Sequence, residues 1–279
     1  MQYKLICIDM DGTLLNKYKR VSEASKEAIK KAFDKGIHIV ITTGRTYVDA
    51  KYYSDLIGVK SPVIASNGAL IKEKDRNEII YKGVFKEGIC PKLIDILSKY
   101  NVLIMFITPE KVYYENNFVK AVMPYLQLLR IVNPKIVYEN IENREQWGKV
   151  FDFEQDNIIK CEIMSKNQRK LSEIRTKLNY VEGIEVVSSA KHNIEINNKG
   201  VCKGKAVEVL SGFYNIDRKE IIAIGDSEND LSMLEYAGIG VAMGNSTENI
   251  KQKADYVTDT NNNDGVAKAI DKFVLTNKN

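Results

Sequence analysis

The sequence predicts an α/β protein: a parallel sheet with helices on both faces, interrupted by an inserted α+β domain. Three observations carry this. Short, wholly apolar runs recur, such as Leu5-Ile6-Cys7-Ile8 and Ile221-Ile222-Ala223-Ile224, and runs without alternation suit strands buried on both faces. Helical stretches separate these runs, which is the pattern of parallel βαβ units. Between residues 85 and 192 the strands change character, mixing polar and apolar residues as in Lys160-Cys161-Glu162-Ile163. That mixture suits a sheet with one wetter face. The expected division is therefore a core of residues 1–84 and 193–279 with an insertion at 85–192.

The first run, Leu5 to Ile8, leads into a helix that Ser22 caps and Gly36 ends, with Ala28, Ile29, Ala32 and Phe33 as its buried stripe. Ile37 to Ile41 reads as the second strand, Tyr47 to Ile57 as a helix, and Val63-Ala65 as the third strand. Past the insertion the pattern returns. Lys203 to Tyr214 is helical, Ile221 to Ile224 a strand, Asn229 to Tyr236 helical, Gly240 to Met243 a strand, and Val266 to Val274 a closing helix. Within the insertion, Val102–Thr108 and Lys111–Glu115 pair through a turn at Pro109-Glu110. Ile158–Met164 and Glu185–Ser188 add strands, and Phe118–Arg130 and Gln168–Tyr180 add helices.

At 279 residues with 44% hydrophobic and 28% charged residues the chain has the make-up of a folded globule. Residues 84–191 hold 16 basic and 14 acidic residues and the rest 25 and 23, so each part carries +2. No basic arm marks a nucleic-acid or membrane role. Cys7, Cys90, Cys161 and Cys202 lie far apart without a Cys-x-x-Cys pair, and read as small apolar residues of a reducing compartment. The opening segment turns acidic after four apolar residues, too soon for a signal peptide, and no apolar run nears the ~18 residues of a membrane span. A cytoplasmic protein is expected.

Four polar clusters sit at strand ends or helix starts: Asp9-Met10-Asp11-Gly12-Thr13, Thr42-Thr43-Gly44-Arg45, Lys203-Gly204 and Gly225-Asp226-Ser227-Glu228-Asn229-Asp230. Open parallel sheets bind ligands beyond the carboxyl ends of their strands, so the three clusters that come directly after strands would meet in one crevice. Asp-Gly is also an ordinary turn signal, Asp226 an ordinary helix cap, Thr43-Gly44 an ordinary capped turn, and Lys203 an ordinary solvated lysine. Together they say more. Two carboxylate-rich rims repel unless a cation lies between them, and oxygen donors without His or Cys suit Mg²⁺. Thr43 and Gly44 at a helix start, with Lys203, would suit an anion. His38 and His192 have no nucleophile partner, and neither a dinucleotide nor a Walker motif occurs.

These four clusters, in order and spacing, resemble the motifs of the haloacid dehalogenase-like hydrolase superfamily. The insertion between the second and third motifs, and Val63-Ile64-Ala65-Ser66-Asn67-Gly68-Ala69, resemble its Cof-type branch, subfamily IIB. The resemblance implies a Rossmann-like core with a cap domain and a Mg²⁺-dependent phosphatase acting on small phosphorylated metabolites. It implies that Asp9 is the nucleophile forming an aspartyl-phosphate and Asp11 the general acid and base. It further implies that Asp9, the Asp11 backbone carbonyl and Asp226 hold Mg²⁺, with Asp230 supporting the metal from behind. Thr43, Gly44, Lys203 and Asn229 would bind the phosphoryl group. Sugar phosphates, a flavin mononucleotide and pyridoxal phosphate all fit, and nothing speaks to oligomeric state.

A phosphomutase on the same scaffold is the main alternative. Such enzymes usually carry a helical cap after the first motif, whereas only Asn16 to Val21 separate that motif from the next helix here. A non-enzymatic receiver module also uses acids, a Thr and a Lys on a parallel sheet, but is about half the core's length and lacks the Asp-x-Asp-Gly-Thr string and the insertion.

Overall fold

The structure, a computed structural model, describes residues 3–129 and 132–276. It divides into two compact units, the chain crossing between Tyr81 and Lys82 and again between Val201 and Cys202. Before the first crossing come β1 (Leu5–Ile8), α1 (Glu23–Asp34), β2 (His38–Ile41), α2 (Tyr47–Leu56), β3 (Val63–Ala65) and β4 (Leu70–Lys72), with β5 (Ile79–Lys82) running up to it. The Ser22 side chain accepts from Ser25 N and starts α1. Its buried stripe is Ser25, Ala28, Ile29 and Ala32. Phe33, expected in that stripe, is instead 36% exposed, because at about 100° per residue it falls at the edge of the stripe the other four residues form.

The second unit contains α3 (Ile89–Leu97), β6 (Leu103–Ile107), β7 (Lys111–Glu115), α4 (Asn117–Leu128), β8 (Val137–Asn140), α5 (Arg144–Phe153), β9 (Lys160–Met164), α6 (Gln168–Leu178), β10 (Ile184–Val187) and β11 (Asn193–Asn198). Arg130, expected to end the fourth helix, lies outside the described residues. The sheet order is β10-β11-β9-β6-β7-β8. One face packs Phe106, Cys161, Ile163 and Ile196 against Leu93, Trp147 and Ile174 of the helices. The other face carries fully buried Lys160, held by Glu195 at 2.7 Å and Glu162 at 3.1 Å. The expected boundary at residue 192 is therefore corrected. β11 pairs with β9 and β10, so the insertion runs on to Val201, and at its start it begins at Lys82 rather than residue 85.

After the second crossing come α7 (Lys203–Phe213), β12 (Ile221–Gly225), α8 (Leu231–Tyr236), β13 (Ile239–Ala242), α9 (Glu248–Lys251), β14 (Tyr256–Val257) and α10 (Gly265–Ile270). The core sheet runs β14-β13-β12-β1-β2, every pair parallel. Register places Cys7 between Val40 and Ala223. All four β1 residues are fully buried. Leu5 and Cys7 share a cluster with Ala206, Leu210 and Met233 of α7 and α8, while α1 packs with α10. The core is thus the α/β arrangement expected, with helices covering a parallel sheet. β3 joins its edge by a parallel bridge between Thr42 and Ile64, then leads a β3-β4-β5 sheet in which β3 and β4 run antiparallel. His38 stacks on Tyr214 at 4.3 Å, a packing role. Cys7, Cys90 and Cys161 are buried, but Cys202 is only half-buried, and its sulfur accepts from Lys205 N as the cap of α7.

Candidate active site

β1 and β12 are central neighbours, and the chain leaves both at the same end of the sheet. Asp9 is the first residue past β1, and its N–H still donates to Ile224 O at 3.0 Å. Further along this loop, Gly12 at φ +84° turns the chain back. No side chain fits there, because a Cβ would overlap the Asp226 carboxylate beyond the end of β12. Thr13 closes the same contact by donating its hydroxyl to Asp226 Oδ1 at 3.0 Å. The turn after β1 and the turn after β12 therefore press together, which sets Asp9 beside Asp226.

Lys203, the first residue of α7, is fully buried. Its ammonium donates to Asp9 Oδ1 at 2.6 Å and Asp230 Oδ1 at 2.5 Å. The helix comes this close because Gly204 lies directly against Ser232 O, where a Cβ would collide. Asp230 uses its other oxygen to accept from Asp226 N and Ser227 N, both at 2.9 Å. It is thus a fully committed brace. Ligand oxygens of Asp9, Asp226 and Asp230 all lie within 4.8 Å of one another. With one ammonium for three carboxylates the cluster carries excess negative charge. Burial, then the charge of Asp230, raises the Asp9 carboxyl well above its ordinary range despite Lys203. Burial and Asp230 push Asp226 to about 7. Lys203 stays protonated, since its two carboxylates outweigh its burial and raise it.

Asp11 stands apart from this cluster. Its carboxylate takes Arg45 Nε at 2.6 Å and Arg45 Nη2 at 2.7 Å, and Lys19 Nζ at 2.6 Å. Burial works to raise its pKa, but Arg45 and Lys19 prevail and hold it at about 2. Arg45 in turn lies over the Tyr53 ring at 5.3 Å.

Thr43 lies just beyond β2 and is buried, its hydroxyl accepting from Arg45 N at 3.2 Å, and Gly44 continues that loop. Thr43 O accepts from Asn67 N at 3.0 Å, and Asn67 Oδ1 accepts from Asn229 Nδ2 at 3.0 Å. Asn229 Oδ1 is buried with no hydrogen-bond partner among the described residues. Asp9, Lys203, Asp226 and Asp230 thus meet directly, while Thr43 and Asn229 are tied together through Asn67. Other residues at the site carried no role in the sequence. Arg45 and Asn67 stood inside quoted motifs. Asn245, which donates to Gly12 O at 2.9 Å, comes soon after β13 and was within reach of the rule that ligands gather at strand ends. Lys19 gave no signal at all.

The chain matches the haloacid dehalogenase-like hydrolase family over residues 6–270. It is 34% identical to a 5-amino-6-(5-phospho-D-ribitylamino)uracil phosphatase of Bacillus subtilis across 98% of this chain and 96% of that one. Its fold is similar to a haloacid dehalogenase-like hydrolase from B. subtilis, with TM-score 0.83 and 31% identity over 97% of this chain and 100% of the other. It is also similar to a subclass IIB sugar phosphatase, with TM-score 0.80 and 26% identity over 97% and 98% of the two chains. The order of strand-end acids, the buried lysine between them and the whole-length matches agree: this chain belongs to the haloacid dehalogenase-like hydrolases and is an enzyme of their phosphatase kind.

Proposed function

We propose that this phosphatase hydrolyses phosphomonoesters of small metabolites, sugar phosphates or similar, through an aspartyl-phosphate on Asp9 and with Mg²⁺. One observation carries the reading: Lys203 lies between Asp9 and Asp230 with Asp226 alongside, an oxygen-only set that lacks positive charge. That deficit fits a hard divalent cation, and Asp9, Asp226 and the Asp11 backbone carbonyl would hold it. Bound there, Mg²⁺ would neutralise phosphoryl oxygens facing a carboxylate nucleophile.

The chain's own residues do the rest. Lys203 steadies Asp9 and offers positive charge to the incoming phosphoryl group, which Thr43, Gly44 and Asn229 would orient. An Asp9 carboxylate oxygen attacks phosphorus, and the bond from phosphorus to the ester oxygen breaks. Asp11 gives its proton to the departing oxygen. The resulting carboxylate then takes a proton from water as that water attacks the phosphoryl group, releasing phosphate and restoring Asp9. The Arg45 and Lys19 pairs keep Asp11 charged and weaken it as a base, so for both proton steps it must come away from them. The inserted unit would act as a cap that shields the reaction from water and selects the leaving group. The names of the relatives support a phosphorylated small molecule as substrate. The even charge balance supports a protein without nucleic-acid or membrane partners. Among the described residues no helix is long and apolar enough to cross a membrane, and buried free cysteines support a cytoplasmic setting.

The test is phosphate release from p-nitrophenyl phosphate. Activity should need Mg²⁺ and vanish in chelator, and Ca²⁺ should bind, seen as a thermal shift, yet support little turnover because its longer bonds loosen in-line geometry. Full activity in chelator, or equal rates with both ions, would refute the metal. Asp11→Asn should slow alkyl phosphates more than the nitrophenyl ester, whose leaving oxygen needs little protonation, by a gap of ~10²–10⁴ in single-turnover phosphorylation. Equal losses would leave Asp11 without an acid role.

A further inference from the structure

The Asn67 backbone is the least expected feature of the core. Ser66 has φ +51°, Asn67 +59° and Gly68 +93°, three consecutive left-handed residues just after β3. Serine rarely adopts this region, asparagine tolerates it, and glycine takes it freely. All three are buried. Strain of this kind persists only where surrounding contacts enforce it, and it gathers at functional sites.

The contacts of the arch run to three of the four motifs. Ser66 N donates to Arg45 O at 2.9 Å and Asn67 N to Thr43 O at 3.0 Å, so its backbone grips the second-motif loop. Gly68 lies against Cys202 O, immediately before Lys203, where a Cβ would collide. The Asn67 side chain accepts from Asn229 Nδ2. That bond takes one of the two hydrogens on Asn229 Nδ2 and so fixes the plane of the amide. The second Nδ2 hydrogen is the one that can be offered to a phosphoryl oxygen, whereas Oδ1 is an acceptor and does not meet an anion.

We propose that Asn67 is a positioning residue: the left-handed arch presents its side chain so that it fixes the Asn229 amide at the phosphate-binding site and keeps that amide in register with the Thr43 loop. The inference rests on the reading of Asn229 as a phosphate contact. It predicts that the side chain, beyond the backbone shape, matters for binding phosphate.

Asn67→Gly separates the two. Glycine adopts φ +59° without steric cost, so the arch should stand, while the amide is gone. The expected result is a rise of roughly three- to tenfold in KM and in the inhibition constant of inorganic phosphate, the worth of about one oriented hydrogen bond, with a smaller change in kcat. Asn229→Ala should show the same weakening, and the double variant should be no weaker than Asn229→Ala alone. Unchanged phosphate inhibition in Asn67→Gly, with Asn229→Ala weakened, would overturn the positioning role and spare the phosphate reading. No effect in Asn229→Ala would overturn the phosphate reading and this inference with it. Additive losses would mean that Asn67 acts elsewhere, and would also overturn it.

Discussion

Asp9→Asn should abolish turnover, by about 10⁴-fold or more, and leave the fold standing. The first half comes from chemistry: an amide cannot form the phosphoryl-enzyme, and every later step depends on it. The second half comes from electrostatics. Asp9 is 5% exposed and shares one lysine with two other acids. Its raised pKa says that the folded state disfavours the charged form relative to solvent. A neutral isostere removes that repulsion, and Lys203 keeps Asp230 as its counter-ion. The melting temperature of the metal-free variant should therefore match or exceed that of the parent. Measured phosphate release and thermal unfolding check both halves, and a folded variant with near-parent activity would remove Asp9 from the mechanism.

Lys203→Met should damage both activity and stability. The side chain is fully buried, and its removal strands Asp9 and Asp230 without a cation. Breaking a buried pair in this way costs on the order of 3–5 kcal/mol, because the charges left behind stay desolvated. In a chain of this size that corresponds to a fall in melting temperature of roughly 6–20 °C. Losing a positive group aimed at the phosphoryl oxygens should cost a further ~10²–10³ in kcat. The pH dependence identifies the cause. Burial already raises the Asp9 carboxyl, and removing the ammonium takes away the charge that opposes this. The contribution of Asp9 is therefore lost as pH rises through its folded pKa, and protonation at low pH restores it. The stability deficit should be larger at about pH 8 than at about pH 5. An equal deficit at both would assign the loss to packing.

The core was legible because its strands are wholly apolar and its chemistry sits directly behind them. Asp9, Thr43 and Asp226 could each be placed by looking just past the end of a buried run. Lys203 could be singled out, but not the depth of its burial, which depends on Gly204 admitting Ser232 from another helix. β11 was missed for a similar reason. Asn193-Ile194-Glu195-Ile196-Asn197-Asn198 looks like a surface turn, yet Glu195 and Asn197 are each 2% exposed. Lys160, from a strand far earlier in the chain, neutralises Glu195. Local pattern cannot reveal a charge whose partner is distant. The left-handed run at Ser66–Gly68 was equally hidden, because serine and asparagine at those angles are held by contacts and not by propensity.

The central strand pair has a consequence for how the chain is made. Leu5 pairs with Ile221, and the whole insertion, with its own sheet and apolar cluster, is threaded between them. A ribosome must deliver the complete second unit before β1 can meet its neighbour β12. Until then β1 and β2 form half of a sheet whose apolar edge is open to other chains. The insertion can collapse around Phe106 and Trp147 while the N-terminal strands still wait. The cluster proposed as catalytic, which draws Asp9 from one side of that gap and Lys203, Asp226 and Asp230 from the other, is thus assembled last. No incomplete nascent chain that ends before β12 can bring Asp9 beside Asp226 and Asp230.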